Sequence, residues 1–199
     1  MSTQQVGLFF GSFNPIHTGH LIIANYMANY TELDEVWLVV TPHNPLKKKD
    51  SLINQYDRLE MVNLAIENTD NIRSSTIEFA LPQPSYTIDT LTHLTDKYPD
   101  KTFVLIMGSD NLASLHKWKN YEVILRDYHI MVYPRPDYPA PAELANHPSV
   151  TITDTPLMEF SSTFIRESVK NGRNIRYFVP DSVGAFIESK GLYLKKATK

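Results

Sequence analysis

The fold of this chain is decided by residues 10–20, FGSFNPIHTGH. An apolar run leads into Phe10, and residues 21–29 return apolar side chains at helical spacing. The stretch therefore predicts a buried strand that stops at Gly11, a turn, and a helix that begins near Thr18. The first N–H groups of a helix have no partner inside it, and the helix dipole attracts anions to that end. The sequence predicts a phosphate-binding turn at this point.

Two histidines, His17 and His20, stand three residues apart beside this turn. At the start of a helix they lie close together, where an imidazole N–H can donate to a phosphoryl oxygen. The alternative interpretation is a Gly/Pro turn with two incidental surface histidines, and the spacing alone does not separate the two.

The same turn resembles a known signature. Residues 17–20, HTGH, are similar to the (H/T)xGH signature of the nucleotidyltransferase superfamily, whose members transfer an adenylyl or cytidylyl group from a nucleoside triphosphate. Residues 160–166, FSSTFIR, resemble the second signature of that superfamily, ISSTxIR, and follow in the expected order. Within the superfamily, the chain is most similar, along nearly its whole length, to the bacterial nicotinate-nucleotide adenylyltransferases.

The composition excludes several classes of protein. Of the 199 residues, 42% are hydrophobic and 21% are charged, which predicts one globular domain over residues 1–199. A net charge of −3 and the shortness of the basic run at residues 47–49 argue against a nucleic-acid partner. The chain has no cysteine, so thiolate metal sites and cysteine nucleophiles are excluded. No apolar stretch suits a signal peptide or a membrane span, and we expect a cytoplasmic protein without a membrane partner.

Strand and helix patterns alternate along the chain, which predicts an α/β fold with a doubly wound, mostly parallel sheet of the Rossmann-like type. After the first strand, the predicted strands cover residues 36–40, 72–81, 102–107, 129–133 and 150–153. The predicted helices cover residues 18–30, 54–67, a segment that opens at 85–91, one helix after 108–111, and residues 161–172 and 180–191. Residues 138–148 are predicted to be a connection.

The resemblance implies an ATP site that draws on both signatures. It assigns catalytic roles to His17, His20 and Arg166, and the planar fork of an arginine suits phosphate oxygens. The implied ATP contacts are Gly11, Ser12, Phe13, His17, His20, Ser109, Asp110, Ser161, Ser162, Thr163 and Arg166. From the residues alone, Asp110 or Asn111 could simply cap a helix, and residues 161–163 could cap the helix that follows them.

The resemblance also implies a site for the acceptor. Thr87 matches the position that holds the pyridine carboxylate in the family, although the residues alone indicate only a Ser or Thr cap. Trp118 matches a tryptophan that stacks on the nicotinate ring, although composition alone favours a core position. Arg135 matches the phosphate-binding arginine of the family's RPG turn, in which Asp137 here replaces the usual glycine.

Residues 43–51, rich in Pro, Lys and Asn, follow the second strand at the edge where open α/β sheets bind ligands. Two interpretations stay open. The segment is either a solvated connection or a lid whose His43, Lys47 or Lys48 contacts phosphate when substrate is present. Lys47 and Lys48 are counted among the predicted acceptor contacts.

The reaction that the resemblance implies is transfer of AMP from ATP to nicotinate mononucleotide, giving the deamido precursor of NAD and pyrophosphate. Mg²⁺ would bridge the phosphates without a dedicated metal site on the protein. The rivals are pantetheine-phosphate and nicotinamide-mononucleotide adenylyltransferases and, from another class, a non-catalytic nucleotide sensor. A P-loop kinase is excluded because no GxxxxGK[ST] occurs. The sequence leaves open the oligomeric state, including a homo-oligomer, and the strictness of nicotinate selection.

Overall fold

The computed structural model describes residues 3–42, 52–156 and 158–195. In these residues the strands are β1 (Gln4–Gly11), β2 (Glu35–Val40), β3 (Ile72–Ser75), β4 (Lys101–Gly108), β5 (His129–Tyr133) and β6 (Val150–Ile152). The helices are α1 (Thr18–Tyr30), α2 (Gln55–Ile66), α3 (Thr87–Lys97), α4 (Ser109–Ala113), α5 (Tyr121–Asp127), α6 (Ala142–Ala145), α7 (Ser162–Lys170) and α8 (Asp181–Ser189).

The six described strands form one sheet in the order β3-β2-β1-β4-β5-β6. Every neighbouring pair in this sheet is parallel. The chain moves outward in one direction from β1 to β3 and in the other from β4 to β6, so the order reverses between β1 and β4. Ligands of such sheets bind beyond the carboxyl ends of the strands at this reversal. The predicted α/β fold is confirmed.

Both faces of the sheet are buried because its strands alternate their side chains between two apolar layers. In β1, Phe9 packs into one layer, together with α1, α2 and α8. Val6 and Leu8 point to the other layer, together with α3 and α5. This double burial explains why β1 has an almost continuous apolar sequence.

The first helix begins and ends where the sequence predicts, at Thr18 and Tyr30. The predicted cap of α2 is also confirmed, because the side chain of Asn54 accepts from the N–H of Tyr56 at 2.9 Å. Gly172 and Gly191 follow α7 and α8 with φ angles of 67° and 59°, which is the left-handed conformation expected after a helix.

Three predicted elements are wrong in extent. The strand predicted at 72–81 ends at Ser75, and a 3₁₀ turn, Ile77–Phe79, follows it. The single helix predicted after residues 108–111 is divided into α4, a 3₁₀ turn and α5, because Trp118 is extended and Asn120 has a φ of 51°. The connection predicted at 138–148 contains the short helix α6. In the described part of the chain, no helix is long and apolar enough to cross a membrane.

Candidate active site

The turn after β1 is held by hydrogen bonds to its carbonyl groups. The donors come from the end of β2, from α2 and from α7. The pairs are Thr41 N–H to Gly11 (2.9 Å), Arg58 Nη1 to Ser12 (2.6 Å), Arg166 Nη1 to Asn14 (2.8 Å) and Ser162 Oγ to Pro15 (2.9 Å). Four donors from three different parts of the fold thus fix this turn from its carbonyl side.

Anchoring a carbonyl also orients the amide that follows it. The C=O and N–H of a trans peptide point in opposite directions, so binding of the Ser12 carbonyl to Arg58 turns the N–H of Phe13 away from Arg58. Phe13 has a φ of 44°, an unfavourable conformation for a bulky residue, and its buried ring is held edge-on by Phe9 and His20. The turn is therefore a strained loop that tertiary contacts fix in one shape.

The two histidines form a reciprocal cap at the start of α1. The Nδ1 atom of His17 accepts from the N–H of His20, and the Nδ1 atom of His20 accepts from the N–H of His17, each at 3.3 Å. Their rings stack with centroids 3.6 Å apart. Because an Nδ1 atom that accepts a hydrogen bond carries no proton, each neutral ring has its proton on Nε2. Both rings are thus set to donate through Nε2.

His17 stays neutral over a wide pH range. Its side chain is buried, with 6% exposed. Burial, with a smaller contribution from the positive charge of Arg135, lowers the pKa of His17 from 6.5 to about 4. The influence of Arg135 also shows that the exit of β5 lies near the start of α1.

Gly19 permits the close approach of the first histidine to the helix. A Cβ atom at this position would lie 3.1 Å from Nδ1 of His17 and 3.5 Å from the Cβ of Met158. A side chain at this position would therefore crowd the His17 ring, which would have to shift by a few tenths of an ångström.

The second signature lies directly against the first turn. Ser161 is the N-cap of α7, and its hydroxyl accepts from the N–H of Phe164 at 3.3 Å. One turn later, Arg166 points back over the start of the helix and donates from Nη2 to Thr163 Oγ1 at 3.1 Å. Since Nη1 of the same guanidinium binds the Asn14 carbonyl, one side chain joins both signatures.

The residues after β4 and β5 form one cluster. The buried hydroxyl of Ser109 accepts from the N–H of Arg135 at 2.9 Å. The guanidinium Nε of Arg135 lies 3.3 Å from Oδ1 of Asp110. The N-cap of α4 is Gly108 without a side-chain bond, so the interpretation of Asp110 or Asn111 as a cap is wrong.

A cavity of about 260 Å³ opens at the carboxyl edge between β1 and β4. Its wall includes residues from the ends of four strands and from the start of α3: Phe10, Thr41, Met107, Tyr133, Tyr86 and Thr87. Trp118 also lines it and is half-buried, with a shielded Nε1–H that has no hydrogen-bond partner among the described residues. Trp118 is thus at once a core-packing residue and a cavity residue.

The start of α3 faces this cavity without a side-chain cap. Its N-cap is Tyr86, which makes no capping hydrogen bond, so the predicted Ser or Thr cap is wrong. The Tyr86 carbonyl accepts from the N–H groups of Asp89 and Thr90, and the helix therefore begins at Thr87. Uncapped N–H groups and the positive end of the dipole favour an anion here.

Sequence comparison supports the resemblance. The family model described as cytidylyltransferase-like matches residues 8–168. A Flavobacterium johnsoniae protein named "probable nicotinate-nucleotide adenylyltransferase" is 55% identical over 193 residues, which are 96% of this chain and 100% of that protein. The chain belongs to the nicotinate-nucleotide adenylyltransferase family. A relative of the same name from Christiangramia forsetii is 53% identical over 194 residues, with 96% and 98% covered.

The fold of this nicotinate-nucleotide adenylyltransferase family member also occurs in a distant solved structure. The chain of Plasmodium falciparum nicotinic acid mononucleotide adenylyltransferase complexed with NaAD has a TM-score of 0.82 and 18% sequence identity. The superposition covers 96% of this chain and 97% of that chain. At this identity, the likeness shows the fold alone.

Two buried charged residues of this adenylyltransferase family member were missed by sequence reasoning. Arg58, 1% exposed, donates to the carbonyls of Ser12, Thr41, Pro42 and Ile53. A signal for it existed, because Arg58 stands three and four residues before the buried Met61 and Val62 on α2. Glu78, 2% exposed, lay inside the strand predicted at 72–81, and no local pattern marks it. His43, Lys47 and Lys48 lie outside the described residues.

Proposed function

We infer that the chain transfers the AMP group of ATP to nicotinate mononucleotide, with release of pyrophosphate. The observation that carries this function is the contact between the two signatures, in which Arg166 binds the Asn14 carbonyl beside the stacked His17 and His20. That contact creates one anion site from two helix starts, α1 and α7. The relatives at 55% and 53% identity carry the name of this activity.

The acceptor's phosphate is the nucleophile, and it is already ionised at neutral pH. The protein therefore needs no general base and no covalent intermediate. Catalysis consists of holding the acceptor oxygen in line with the α-phosphorus and of placing donors where negative charge builds up. The Nε2–H groups of His17 and His20 are such donors, because both Nδ1 atoms are occupied as acceptors. The neutral state of His17 keeps this role constant across physiological pH.

The ATP side of the site is proposed to include both helix starts and their loops. The turn at Gly11, Ser12 and Phe13 offers backbone N–H groups to the phosphates. The hydroxyl residues Ser161, Ser162 and Thr163 line the start of α7, where Arg166 adds its charge. Ser109 and Asp110 would face the nucleoside from the end of β4.

The acceptor side is proposed to be the cavity. The uncapped start of α3 at Thr87 suits the pyridine carboxylate, and the half-buried Trp118 offers a flat face to the ring. Arg135, at the exit of β5, would bind the mononucleotide phosphate. Lys47 and Lys48 stay predicted contacts.

Mg²⁺ is proposed to accompany ATP. In the described residues, no group of three or more His, Cys, Asp or Glu side chains could hold a metal ion. Mg²⁺ can take most of its oxygen ligands from phosphates, and the carboxylate of Asp110, at the start of α4, would supply one more. When bound, Mg²⁺ supplies positive charge to the phosphate oxygens.

The test is ATP-dependent release of pyrophosphate, with nicotinate mononucleotide and nicotinamide mononucleotide assayed side by side. A site made of donors satisfies both oxygens of a carboxylate, whereas the NH₂ group of an amide would meet donors only. We expect kcat/KM to favour nicotinate mononucleotide by about a hundredfold or more, which is roughly 2.7 kcal/mol. Equal values for both acceptors would contradict the proposed carboxylate site at Thr87. The cytoplasmic location, the single domain, the absence of a nucleic-acid partner and a homo-oligomeric state stay predictions.

A further inference from the structure

The cavity contains a buried carboxyl group to which the proposed function assigns no role. Glu78 lies in the 3₁₀ turn after β3 and is 2% exposed. Its Oε1 atom accepts from the hydroxyl of Thr90, in the first turn of α3, at 2.9 Å. Its Oε2 atom is shielded and has no hydrogen-bond partner in the part of the chain that the structure describes. Glu78 therefore sits beneath the helix start that faces the cavity.

The surroundings of Glu78 favour its neutral form. Glu35, which is equally buried, forms ion pairs with Arg73 and Lys101. Glu78 forms no ion pair within the described part of the chain, and a buried carboxylate without a cation is costly. Burial raises the pKa of Glu78, and the nearby hydroxyls of Thr90, Thr41 and Ser85 offset only part of this effect.

Other charged and titratable groups on the cavity wall do not neutralise Glu78. They are Tyr86 from the start of α3, Lys117 and Lys119 from the turn before α5, and Tyr133 from the end of β5. Lys119 is paired with Asp89 at 2.8 Å.

Two further polar groups on the same wall have no hydrogen-bond partner among residues 3–42, 52–156 and 158–195. Ser85 is 5% exposed, and its hydroxyl lies close enough to Glu78 to lower the pKa of that carboxyl, although it meets no hydrogen-bond geometry with a described group. The second group is the shielded Nε1–H of Trp118. A protonated carboxyl, a hydroxyl and an indole N–H can all donate, and each costs free energy until it finds an acceptor. The unpaired groups thus indicate a ligand rich in acceptors.

We propose that Glu78 is a specificity-determining residue that, as a neutral carboxylic acid, donates through Oε2 to the acceptor's carboxylate with support from Ser85. The proposal rests on the proposed function. It names the side chain by which the acceptor site would distinguish a carboxylate from an amide. It adds side-chain donors on the cavity wall to the backbone N–H groups at Thr87. An ionised Glu78 would instead repel the carboxylate and accept from an amide.

The experiment compares two substitutions of similar size and different hydrogen-bonding capacity. Glu78→Gln keeps a donor and is neutral, whereas Glu78→Met fills the same space without one. For each protein, kcat/KM is measured with nicotinate and with nicotinamide mononucleotide at saturating ATP, together with the KM for ATP and the melting temperature. Ser85→Ala is the smaller companion change.

We expect Glu78→Gln to retain kcat/KM for nicotinate mononucleotide within about threefold. Glu78→Met is expected to lower the preference for nicotinate by about tenfold or more, because kcat/KM for nicotinate mononucleotide falls. The KM for ATP should not change. Ser85→Ala should lower the same preference by about threefold. The ratio between two acceptors, measured in one folded protein, separates an effect on the acceptor site from a general loss of stability.

The proposal is overturned if Glu78→Met leaves the preference at the wild-type value. It is also overturned if Glu78→Gln loses nicotinate use as strongly as Glu78→Met, because the anion would then be the required form. If the wild-type protein does not transfer AMP to nicotinate mononucleotide at all, the proposed function itself fails. That result differs from an active enzyme whose preference for nicotinate mononucleotide does not change when Glu78 is replaced.

Discussion

The two edges of the sheet treat buried charge in opposite ways. At the amino edge, Glu35 is 3% exposed and pairs with Arg73 and with Lys101, whose Nζ lies 3.3 Å away. At the carboxyl edge, Arg58 and Glu78 are equally buried, and neither forms an ion pair within the described ranges. Glu35 is held by charged partners, whereas Arg58 is held by four backbone carbonyls, those of Ser12, Thr41, Pro42 and Ile53. The comparison teaches that buried charge at the amino edge is matched by opposite charge, and that buried charge at the carboxyl edge is used to hold loops or, at Glu78, is left with an oxygen that has no partner among the described residues.

The largest loss of activity is expected when the two histidines at the carboxyl edge are replaced. His17→Ala and His20→Ala each remove a donor to a group that gains charge in the transition state, which typically slows the reaction about a hundredfold or more, roughly 3 kcal/mol. Steady-state rates of pyrophosphate release measure the loss. His129→Ala is the control, because this histidine begins β5 at the amino edge, where its Nε2 lies 3.0 Å from the hydroxyl of Thr151. If both variants kept rates within about threefold of wild type, His17 and His20 would not belong to the active site.

A substitution at the amino edge should lower stability and leave activity unchanged. Glu35→Gln leaves Lys101, with 16% of its side chain exposed, without its anion. We expect the free energy of unfolding to fall by about 2 kcal/mol, less than for a fully buried pair because Arg73 is exposed. Urea denaturation measures it, and kcat should not change. Asp127→Asn breaks an exposed pair with Arg126 and should cost nothing measurable. If Glu35→Gln lost much of its kcat under conditions where the protein is fully folded, the amino edge would also contribute to activity and the two edges would not differ in this way.

The low pKa of His17 gives the carboxyl edge its own dependence on pH. Folding lowers that pKa from 6.5 to about 4. The unfolded chain therefore binds the proton more tightly, and the contribution of His17 to stability is complete above pH 6.5 and is lost as the pH falls through about 4. Between pH 7 and pH 5, the wild type should lose about 2 kcal/mol more than His17→Asn, which keeps a capping side chain but does not titrate. Urea denaturation at both values tests this, and equal losses would refute it.

The smallest effect concerns the arginine that joins the two signatures. Arg166→Lys keeps the charge but loses the fork that binds Asn14 and Thr163 together. We expect kcat/KM for ATP to fall about tenfold, roughly 1.4 kcal/mol, with net charge unchanged. Arg126→Lys, on the exposed surface of α5, is the matched control. If both variants used ATP equally well, Arg166 would be only a structural link.

The sequence predicts best where local chemistry and the fold agree. The bounds of α1 could be predicted because Gly11 stops the strand and residues 17–20 begin a helix with its own capping groups. The length of β3 could not, because Ile77 and Phe79 alternate around Glu78 as they would in a strand. Only the packing of α3 against this turn shows that Glu78 is buried. The N-cap of α3 could not be predicted either. Its Ser and Thr residues suggest a side-chain cap, whereas the N-cap is Tyr86, which provides none.

The residues that fix the site were harder to predict than those proposed to contact substrate. Signatures mark His17, His20 and Arg166, whereas the partners of Arg58 are backbone carbonyls, which have no sequence pattern. Arg58 stands between polar and apolar neighbours on α2, as a solvated arginine would. Its burial follows from distant parts of the chain, the turn at Ser12 and the end of β2.

Arg58 also couples places that are far apart along the chain. Its guanidinium donates to Pro42, just after β2, and to Ile53, just before α2. The same side chain holds the carbonyls of Ser12 and Thr41. One buried guanidinium therefore works as a common fastening for the exit of β2, the entry of α2 and the turn after β1, so that a displacement at any of the three is passed to the other two.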